Sequence, residues 1–333
     1  MCTCIRFSDN NDNMFFGRNL DWSVGYGQEV IATPRGYRLD SAFMGQILTE
    51  YALIGMGIVQ EGVPLYFDCG NEAGLAIAGL NFPGYTDYEN EAVEGKVNIA
   101  AYEFPLWIAM KFGSVDEVER ALADVAIVAK PINDKYPVSM LHWMIGDSKR
   151  SIVVEYTTNG LEVFHNDVDV LTNQPGFAWH RENLRNYMNL ESEMPENVTW
   201  REAEMKPFGS GAMMRGLPGD YYSTSRFVRA AYLNTHYPTK STEEENVSRL
   251  FHTLSGVAMI DGAARMADGE YEKTIYTGGF SSATQTYYYN TYEDPEIKGV
   301  SLKEFEPDGR EQVDGVVLFS PDAGSKRSIK NNL

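Results

Sequence analysis

The sequence has little cysteine and no excess of positive charge. Three cysteines, Cys2, Cys4 and Cys69, occur among 333 residues, an odd number without the spacing of a disulfide framework. Such a set indicates a reducing compartment. Lys and Arg number 28 against 47 Asp and Glu, which gives a formal net charge of -19. Nucleic acids and anionic membranes require clustered positive charge, so we expect neither as a partner.

Long apolar segments and targeting signals are also missing. No apolar run approaches the roughly 18 residues that a membrane-spanning helix needs, and the first residues lack a basic stretch followed by an apolar one. We therefore expect a cytoplasmic protein without a membrane partner. The negative net charge is explained by solubility. An anionic substrate would have to be bound by local positive groups against the overall negative field.

Patterns that hold metals or nucleotides are absent from the sequence. Cys2 and Cys4 lack two further ligands at suitable spacing, so we expect no metal ion. The glycine-rich residues 209–211 have neither a phosphate-loop lysine nor a preceding strand, and they do not predict a nucleotide site. None of the five histidines stands in a pattern that marks a catalytic base. The expected protein therefore works without a cofactor.

The first 22 residues carry the clearest chemical signal. Removal of Met1, which a small second residue permits, would leave Cys2 with both a thiol and a free α-amine. An α-amine has an ordinary pKa of about 7.7 to 8.0 and can accept the thiol proton near neutral pH. Arg18 would favour the thiolate, and Asp21 could hold the amine by a charged hydrogen bond. The alternative is a solvated Arg18 and Asp21 pair beside a small apolar strand residue.

The spacing of these two charged residues has a geometric consequence. Arg18 and Asp21 are three positions apart, so on a straight strand their side chains point to opposite faces. We therefore expect a bend or bulge after Arg18, where Leu20 and Asp21 leave the strand.

The chain pattern favours antiparallel sheets covered by helices. Apolar segments alternate with turns, and the polar residues 9–13 predict a hairpin between strands at 4–7 and 14–17. Helices are indicated in pairs between groups of strands, including one at 114–128 and one opened by a capping box from Ser241 to Glu244. This order argues against a doubly wound parallel sheet and favours the class α+β. Without a linker or repeat, residues 1–333 are expected to form a single catalytic domain.

Six short stretches resemble the choloylglycine hydrolase family of N-terminal nucleophile hydrolases. Within the family they are most similar to bile salt hydrolases of gut bacteria, bifidobacterial type, from Met1 to about Asp294. The stretches are Met1-Cys2-Thr3 and residues 17–22 (GRNLDW), 66–69 (YFDC), 79–85 (GLNFPGY), 171–175 (LTNQP) and 225–229 (SRFVR). The resemblance implies a four-layer αββα sandwich of antiparallel sheets and a homotetramer. It also implies hydrolysis of glycine- or taurine-conjugated bile acids through a thioester on Cys2.

The resemblance implies roles for three further residues. Asn81, by its backbone N–H, and Asn173, by its side chain, would stabilise the oxyanion that forms on the attacked carbonyl. Arg226 would support the surroundings of Cys2. Taken without the family, an asparagine at a strand end is commonly a turn residue, and Arg226 fits a helical surface.

A steroid acyl group requires an apolar pocket with few polar contacts. Each candidate for its lining also fits an ordinary core or surface position. The candidates are Leu20, Trp22, Tyr26, Ile58, Val63, Ile132 and Tyr136.

Two other functions stay open. The sequence pattern of penicillin V acylases in the same family has Tyr at the position of Asn81. Asn81 therefore favours bile salts as substrates. A non-catalytic binder of apolar acids would use the pocket without the chemistry. The presence of Cys2, Arg18, Asp21 and Asn173 together argues against such a binder.

Overall fold

A computed structural model describes residues 1–304 and the backbone of residues 317–319. Residues 305–316 and 320–333 lie outside the described part of the chain, so the single domain predicted for 1–333 stays a prediction. None of the described helices combines the length and the apolar character needed to cross a membrane.

Strands dominate the described chain. The strands are β1 (Cys2–Ser8), β2 (Met14–Trp22), β3 (Glu29–Thr33), β4 (Arg38–Ser41), β5 (Gly45–Leu48), β6 (Leu53–Gln60), β7 (Val63–Asn71), β8 (Ala76–Asn81), β9 (Val97–Ala100), β10 (Val125–Val128), β11 (Leu141–Gly146), β12 (Ser151–Thr157), β13 (Gly160–His165), β14 (Val170–Leu171), β15 (Val198–Trp200), β16 (Ala203–Met205), β17 (Ala264–Arg265), β18 (Tyr271–Ser281), β19 (Thr286–Thr291), β20 (Lys298–Ser301) and β21 (Val317–Phe319). The α-helices are α1 (Phe104–Lys111), α2 (Val115–Leu122), α3 (Phe177–Asn183), α4 (Ser223–His236) and α5 (Glu243–Ser255).

Two antiparallel sheets stack face to face between layers of helices. The first sheet has the order β14-β1-β2-β18-β19-β20, with β17 added beside β18, and the second has the order β13-β12-β11-β8-β7-β6-β3-β21. Helices α4 and α5 pack on the outer face of the first sheet, while α1 packs on the outer face of the second. Residues of α2 join the same outer core as α1. The predicted αββα sandwich is confirmed.

The first hairpin fixes the position of the chain start. Asp9 accepts hydrogen bonds from the backbone N–H groups of Asn11 and Asn13 at 2.7 and 2.9 Å, which closes the predicted turn between β1 and β2. The register that follows pairs Cys2 with Leu20 and Cys4 with Arg18. Directly paired residues share a face of a sheet, so these four side chains point the same way.

Two of the predicted helix boundaries are wrong. Residues 114–128 form helix α2 and then strand β10, because the run Val-Ala-Ile-Val at 125–128 pairs in parallel with β9. The capping box of α5 lies one residue later than predicted. Thr242, not Ser241, accepts from the backbone N–H of Glu245, whose side chain in turn bonds the backbone N–H of Thr242.

Candidate active site

The thiol of Cys2 lies between the two sheets and receives a hydrogen bond from a buried arginine. Arg18 Nη2 is 2.6 Å from Cys2 Sγ. The same guanidinium donates through Nη1 to the carbonyl of Gly79 at 2.8 Å, and to the carbonyl of Phe67 at 3.3 Å. Gly79 and Phe67 belong to strands of the second sheet, so that sheet fixes the direction of Arg18. A thiol with a fixed cation beside it is favoured as thiolate.

The charge of Arg18 is maintained by its neighbours. Burial by itself would lower the pKa of this guanidinium, but Cys2, Tyr276 and Asp68 raise it above its ordinary value. Arg18 is only 1% exposed, so its cation acts in surroundings that screen it far less than water does.

Asp21 does not leave its strand, and the expected bulge after Arg18 is wrong. Strand β2 continues through Trp22, and the bulge lies in the partner strand β18, between Thr274 and Tyr276. The odd spacing therefore places the side chains of Arg18 and Asp21 on opposite faces of the strand. Arg18 points between the sheets, and Asp21 points to the other face, where α4 packs. The two charged side chains approach Cys2 from opposite sides of the first sheet.

Asp21 is buried and has one oxygen without a donor. Its Oδ1 accepts a hydrogen bond from Thr274 Oγ1 at 2.6 Å. Among the described residues, none donates a hydrogen bond to Oδ2. Burial raises the pKa of Asp21, while the N-terminal ammonium and Arg226 act to lower it. The open oxygen can therefore receive one more charged donor.

Met1 extends the pairing of the first two strands. Its ammonium donates to the carbonyl of Asp21 and to Glu272 Oε1, each at 2.6 Å, and its carbonyl accepts from the backbone N–H of Asp21 at 2.8 Å. As long as Met1 is present, the nitrogen of Cys2 is an amide, which has no basic lone pair.

Asn173 connects the remaining predicted residues. Its Oδ1 accepts from the backbone N–H of Cys2 and from Arg226 Nη2, both at 2.7 Å, and its Nδ2 donates to the carbonyl of Asn81 at 2.7 Å. A side-chain amide nitrogen has two hydrogens, so one remains for another acceptor. Arg226 also donates to the carbonyl of Cys2 and to Thr3 Oγ1. It is fully buried in α4, which excludes the surface alternative.

Two residues that hold Asn173 in place were not predicted from the sequence. Ser223 Oγ accepts from the backbone N–H of Asn173 at 3.0 Å, and His180 Nε2 lies 2.9 Å from its carbonyl. Burial lowers the pKa of His180 to about 4, against the hydrogen bond to Asn173. His180 therefore stays neutral and donates from Nε2. Neither residue has a sequence signal, because both act through backbone groups.

An apolar cavity of about 360 Å³ opens above the thiol. Cys2, Arg18, Asp21 and Asn81 stand at its polar end, and six of the seven predicted lining residues contribute to its wall. These six are Leu20, Trp22, Tyr26, Ile58, Ile132 and Tyr136. Val63 is not among the described residues that line it. At the start of β7, beside the turn, Val63 packs partly buried against the outer core of the second sheet.

Other apolar lining residues were not predicted. They come from strand β7, from the residue pair after β8, from residues 101–105 around the start of α1 and from residues 137–141 around the start of β11, whose common orientation only the fold reveals. They are Leu65, Tyr66, Phe67, Pro83, Ala101, Tyr102, Pro105, Pro137, Val138, Met140 and Leu141. Within residues 1–304, no three His, Cys, Asp or Glu side chains are grouped to hold a metal ion.

The fold and the thiol at the start of β1 are those of an N-terminal nucleophile hydrolase. Residues 2–315 match the family described as linear amide C-N hydrolases, choloylglycine hydrolase family, and the chain belongs to this family. The match continues past Asp294, where the resemblance noted from the sequence alone becomes thin.

Relatives and solved structures agree with this placement. The chain is 54% identical to a bile salt hydrolase/transferase of Bifidobacterium longum subsp. longum over 94% of its length and 99% of the relative's. It is 45% identical to a conjugated bile acid hydrolase of Lactobacillus acidophilus over 91% of this chain and 96% of that one. A crystal structure of a variant of the Clostridium perfringens conjugated bile acid hydrolase superposes with a TM-score of 0.88, at 36% identity and 96% coverage of both chains.

A more distant solved structure shares the fold alone. Penicillin V acylase of Agrobacterium tumefaciens has a TM-score of 0.77 and 19% identity, with 96% of this chain and 91% of that chain covered.

Proposed function

We propose that the protein hydrolyses the amide bond of glycine- or taurine-conjugated bile acids, with Cys2 as nucleophile and no cofactor. One observation carries the proposal: the thiol receives a hydrogen bond from Arg18 at 2.6 Å at the polar end of an apolar cavity. The names of the relatives supply the substrate class. The apolar wall suits a steroid, and the buried cation beside the sulfur suits attack on an amide carbonyl.

The mechanism begins when the Cys2 thiolate attacks the carbonyl carbon of the substrate amide. The backbone N–H of Asn81 and the second amide hydrogen of Asn173 stabilise the oxyanion. The C–N bond then breaks, and the leaving amine takes a proton from the α-ammonium of Cys2. A water molecule, deprotonated by the same α-amine, cleaves the thioester and releases the bile acid.

This mechanism requires that nothing precedes Cys2. Removal of Met1 would free the α-nitrogen and expose the open Oδ2 of Asp21 as its partner. Asp21 then holds the ammonium by a charged hydrogen bond, and Arg226 fixes the adjoining carbonyl of Cys2. Asp21 and Arg226 therefore orient the base, whereas Arg18 acts on the sulfur.

Incubation with three amides tests the proposal. Glycocholate and taurocholate should release glycine and taurine, while phenoxymethylpenicillin should be a poor substrate. Release of phenoxyacetate alone would favour the penicillin V acylase alternative. The shared fold does not support that alternative by itself, because one fold can carry different chemistry. Binding of the bile salts without product would favour the non-catalytic binder.

We also propose a cytoplasmic homotetramer whose chain forms a single domain. Exposed apolar side chains are concentrated between α3 and α4, where Met188, Trp200 and Phe208 are 80%, 73% and 112% exposed. Several large apolar side chains exposed in one segment favour an interaction surface there. Light scattering after size exclusion should give four chains per particle, and Trp200→Glu should reduce that number. Ile260→Glu, an exposed apolar position of another segment, is the matched control.

A further inference from the structure

A buried acid lies between the two sheets, next to Arg18, and the mechanism above does not use it. Asp68 stands in β7 and is 3% exposed. Its Oδ1 accepts a hydrogen bond from the hydroxyl of Tyr276, and its Oδ2 accepts one from the hydroxyl of Tyr287. Both tyrosines are fully buried in the first sheet. Each carboxylate oxygen thus accepts from its own phenol, which is the bonding pattern of an ionised carboxylate.

The backbone is shaped to admit this arrangement. Tyr276 directly follows the bulge in β18, and Gly278 pairs directly with Arg18. A Cβ atom at Gly278 would lie 2.1 Å from the hydroxyl oxygen of Tyr287. Only glycine therefore lets Tyr287 cross the strand and reach Asp68. The register between β6 and β7 shifts between Met56 and Gly57. Beyond this shift, Asp68 faces the first sheet and its neighbour Cys69 joins the outer core.

Arg18 connects this acid to the reacting sulfur. One amino group of its guanidinium donates to the carbonyl of Phe67, the residue before Asp68, and the other donates to Cys2 Sγ. The charge of Arg18 also acts to lower the pKa of Asp68, so the acid and the sulfur interact with the same buried cation. Where charges are poorly screened, a negative charge at Asp68 offsets part of the attraction that Arg18 exerts on a thiolate.

The other ionisable groups around this pair stay neutral. Burial raises the pKa values of Cys4, Cys69, Tyr276 and Tyr287 well above their ordinary ranges, and burial also raises that of Tyr26 at the cavity wall. Asp21 and Arg226 act from the opposite face of the first sheet. Burial raises the pKa of Asp68, and Arg18 and the two phenols offset only part of that rise. Arg6, on the same face of β1 as Cys2, is paired with Asp169 at 3.0 Å. Among the described residues, Arg18 is the cation that contacts the sulfur, and Asp68 is the acid held beside it by two phenols.

We propose that Asp68, held by Tyr276 and Tyr287, is a positioning residue that acts on Cys2 through Arg18: its negative charge limits how strongly Arg18 favours the thiolate. The inference rests on the proposed function only in taking Cys2 as the nucleophile. It assigns a role to the Tyr66-Phe67-Asp68-Cys69 stretch, which the mechanism leaves unexplained.

The test measures the pH dependence of Cys2 alkylation by iodoacetamide in protein freed of Met1. The modified Cys2 peptide is quantified by mass spectrometry, which separates it from Cys4 and Cys69. Asp68→Asn should move the midpoint of alkylation to lower pH by about one unit, because a negative charge near the sulfur is lost. Replacing both phenols, Tyr276→Phe with Tyr287→Phe, should move it in the same direction by less, since the carboxylate then takes up a proton more readily.

Two matched controls have buried groups that contact neither Arg18 nor Cys2. Asp147→Asn changes a buried acid that accepts from the backbone N–H of Val115, and Tyr156→Phe removes a hydroxyl that donates to Glu89. Both should leave the alkylation midpoint where it is. A midpoint that is unchanged or raised in Asp68→Asn would overturn the proposal. If Asp68→Asn does not fold, the double phenylalanine variant decides by the same criterion.

The alkylation readout is independent of bile salts. A protein that shifts as expected but does not cleave conjugated bile acids would refute the proposed function and retain the role of Asp68. Cleavage of bile salts together with an unmoved alkylation midpoint in Asp68→Asn would refute the role of Asp68 and retain the proposed function.

Discussion

Two buried aspartates, Asp21 and Asp68, lie on opposite sides of the first sheet and are bonded differently. Asp68 has a phenol on each oxygen. Asp21 has a threonine hydroxyl on one oxygen and no donor among the described residues on the other. Burial raises the pKa of both. The difference is that Asp68 is saturated and Asp21 has room for one more donor.

This difference separates a fixed charge from a binding group. A carboxylate whose acceptors are filled contributes an electric field and little else, whereas an unfilled buried acceptor costs free energy until a donor arrives. In our account, that donor is the α-ammonium of Cys2 once Met1 is gone. We propose that Asp68 acts on the sulfur through Arg18, whereas Asp21 acts on the nitrogen directly.

The largest effect is expected at the residue on which both acids act. Cys2→Ser keeps a side chain of similar size, but an alcohol is much harder to ionise than a thiol, so hydrolysis should fall by about a thousandfold or more. Thermal unfolding should be nearly unchanged. Cys69→Ala, a buried thiol that faces the outer core, should keep most of the activity. An active Cys2→Ser protein beside an inactive, folded Cys69→Ala protein would show that the wrong thiol was chosen.

The next effect separates the two acids. Asp21→Asn retains the shape and removes the charge that holds the base, so we expect kcat to fall by roughly a hundredfold with little change in KM. Asp68→Asn should lower kcat by less than about tenfold, because the base keeps its partner. Steady-state kinetics with glycocholate over a range of pH provide the measurement. An unchanged kcat and an unmoved pH profile in Asp21→Asn would mean that this acid does not hold the base.

A smaller effect concerns His180, on the helix side of the first sheet, and is measured as the loss of stability on acidification. Burial lowers the pKa of His180 from 6.5 to about 4, so the unfolded chain takes up a proton first as the pH falls. Its contribution to stability is complete above pH 6.5 and is lost progressively toward pH 4. By pH 5 the loss amounts to about 2 kcal/mol. Urea unfolding at pH 7 and pH 5 should show this difference, and His180→Gln should reduce it. Equal pH dependence in both proteins would exclude His180 as its source.

The smallest effect concerns the clamp on Asp68. Gly278→Ala places a methyl group where the hydroxyl of Tyr287 lies, and we expect a loss of about 1.5 kcal/mol in the free energy of unfolding. Gly219→Ala is the control, since its Cβ would meet no atom within 4 Å. Equal stability of the two variants would show that Tyr287 can move away from Asp68 at little cost.

Much of the fold was predictable because local sequence patterns specify its hairpins and helices. The polar turn after β1 and the alternating strands gave antiparallel hairpins, and the resemblance supplied the layers. The strand β10 was taken for the end of a helix because valines in an amphipathic run fit both periods. The capping box of α5 shifted because Ser241 and Thr242 are both good N-caps with a glutamate three residues later.

The candidate site was predictable where it is local in sequence. Cys2, Arg18 and Asp21 fall in one hairpin, so their pairing follows from its register. Asp68 and Tyr287 meet only because a bulge in each sheet and a glycine at 278 bring them together, and no spacing in the sequence indicates that contact. Val63 was misplaced for a related reason, since a periodic pattern tells that a side chain is apolar but not which core it joins.

We propose that Cys2, with its amine free, carries the acyl group during turnover. The most direct measurement is the mass of the protein and of its N-terminal peptide after acid quenching of a reaction with glycocholate. We expect a chain without Met1 and a fraction of Cys2 carrying the cholyl group as a thioester. Full activity in a chain that retains Met1, or a cholyl group on any other residue, would contradict it.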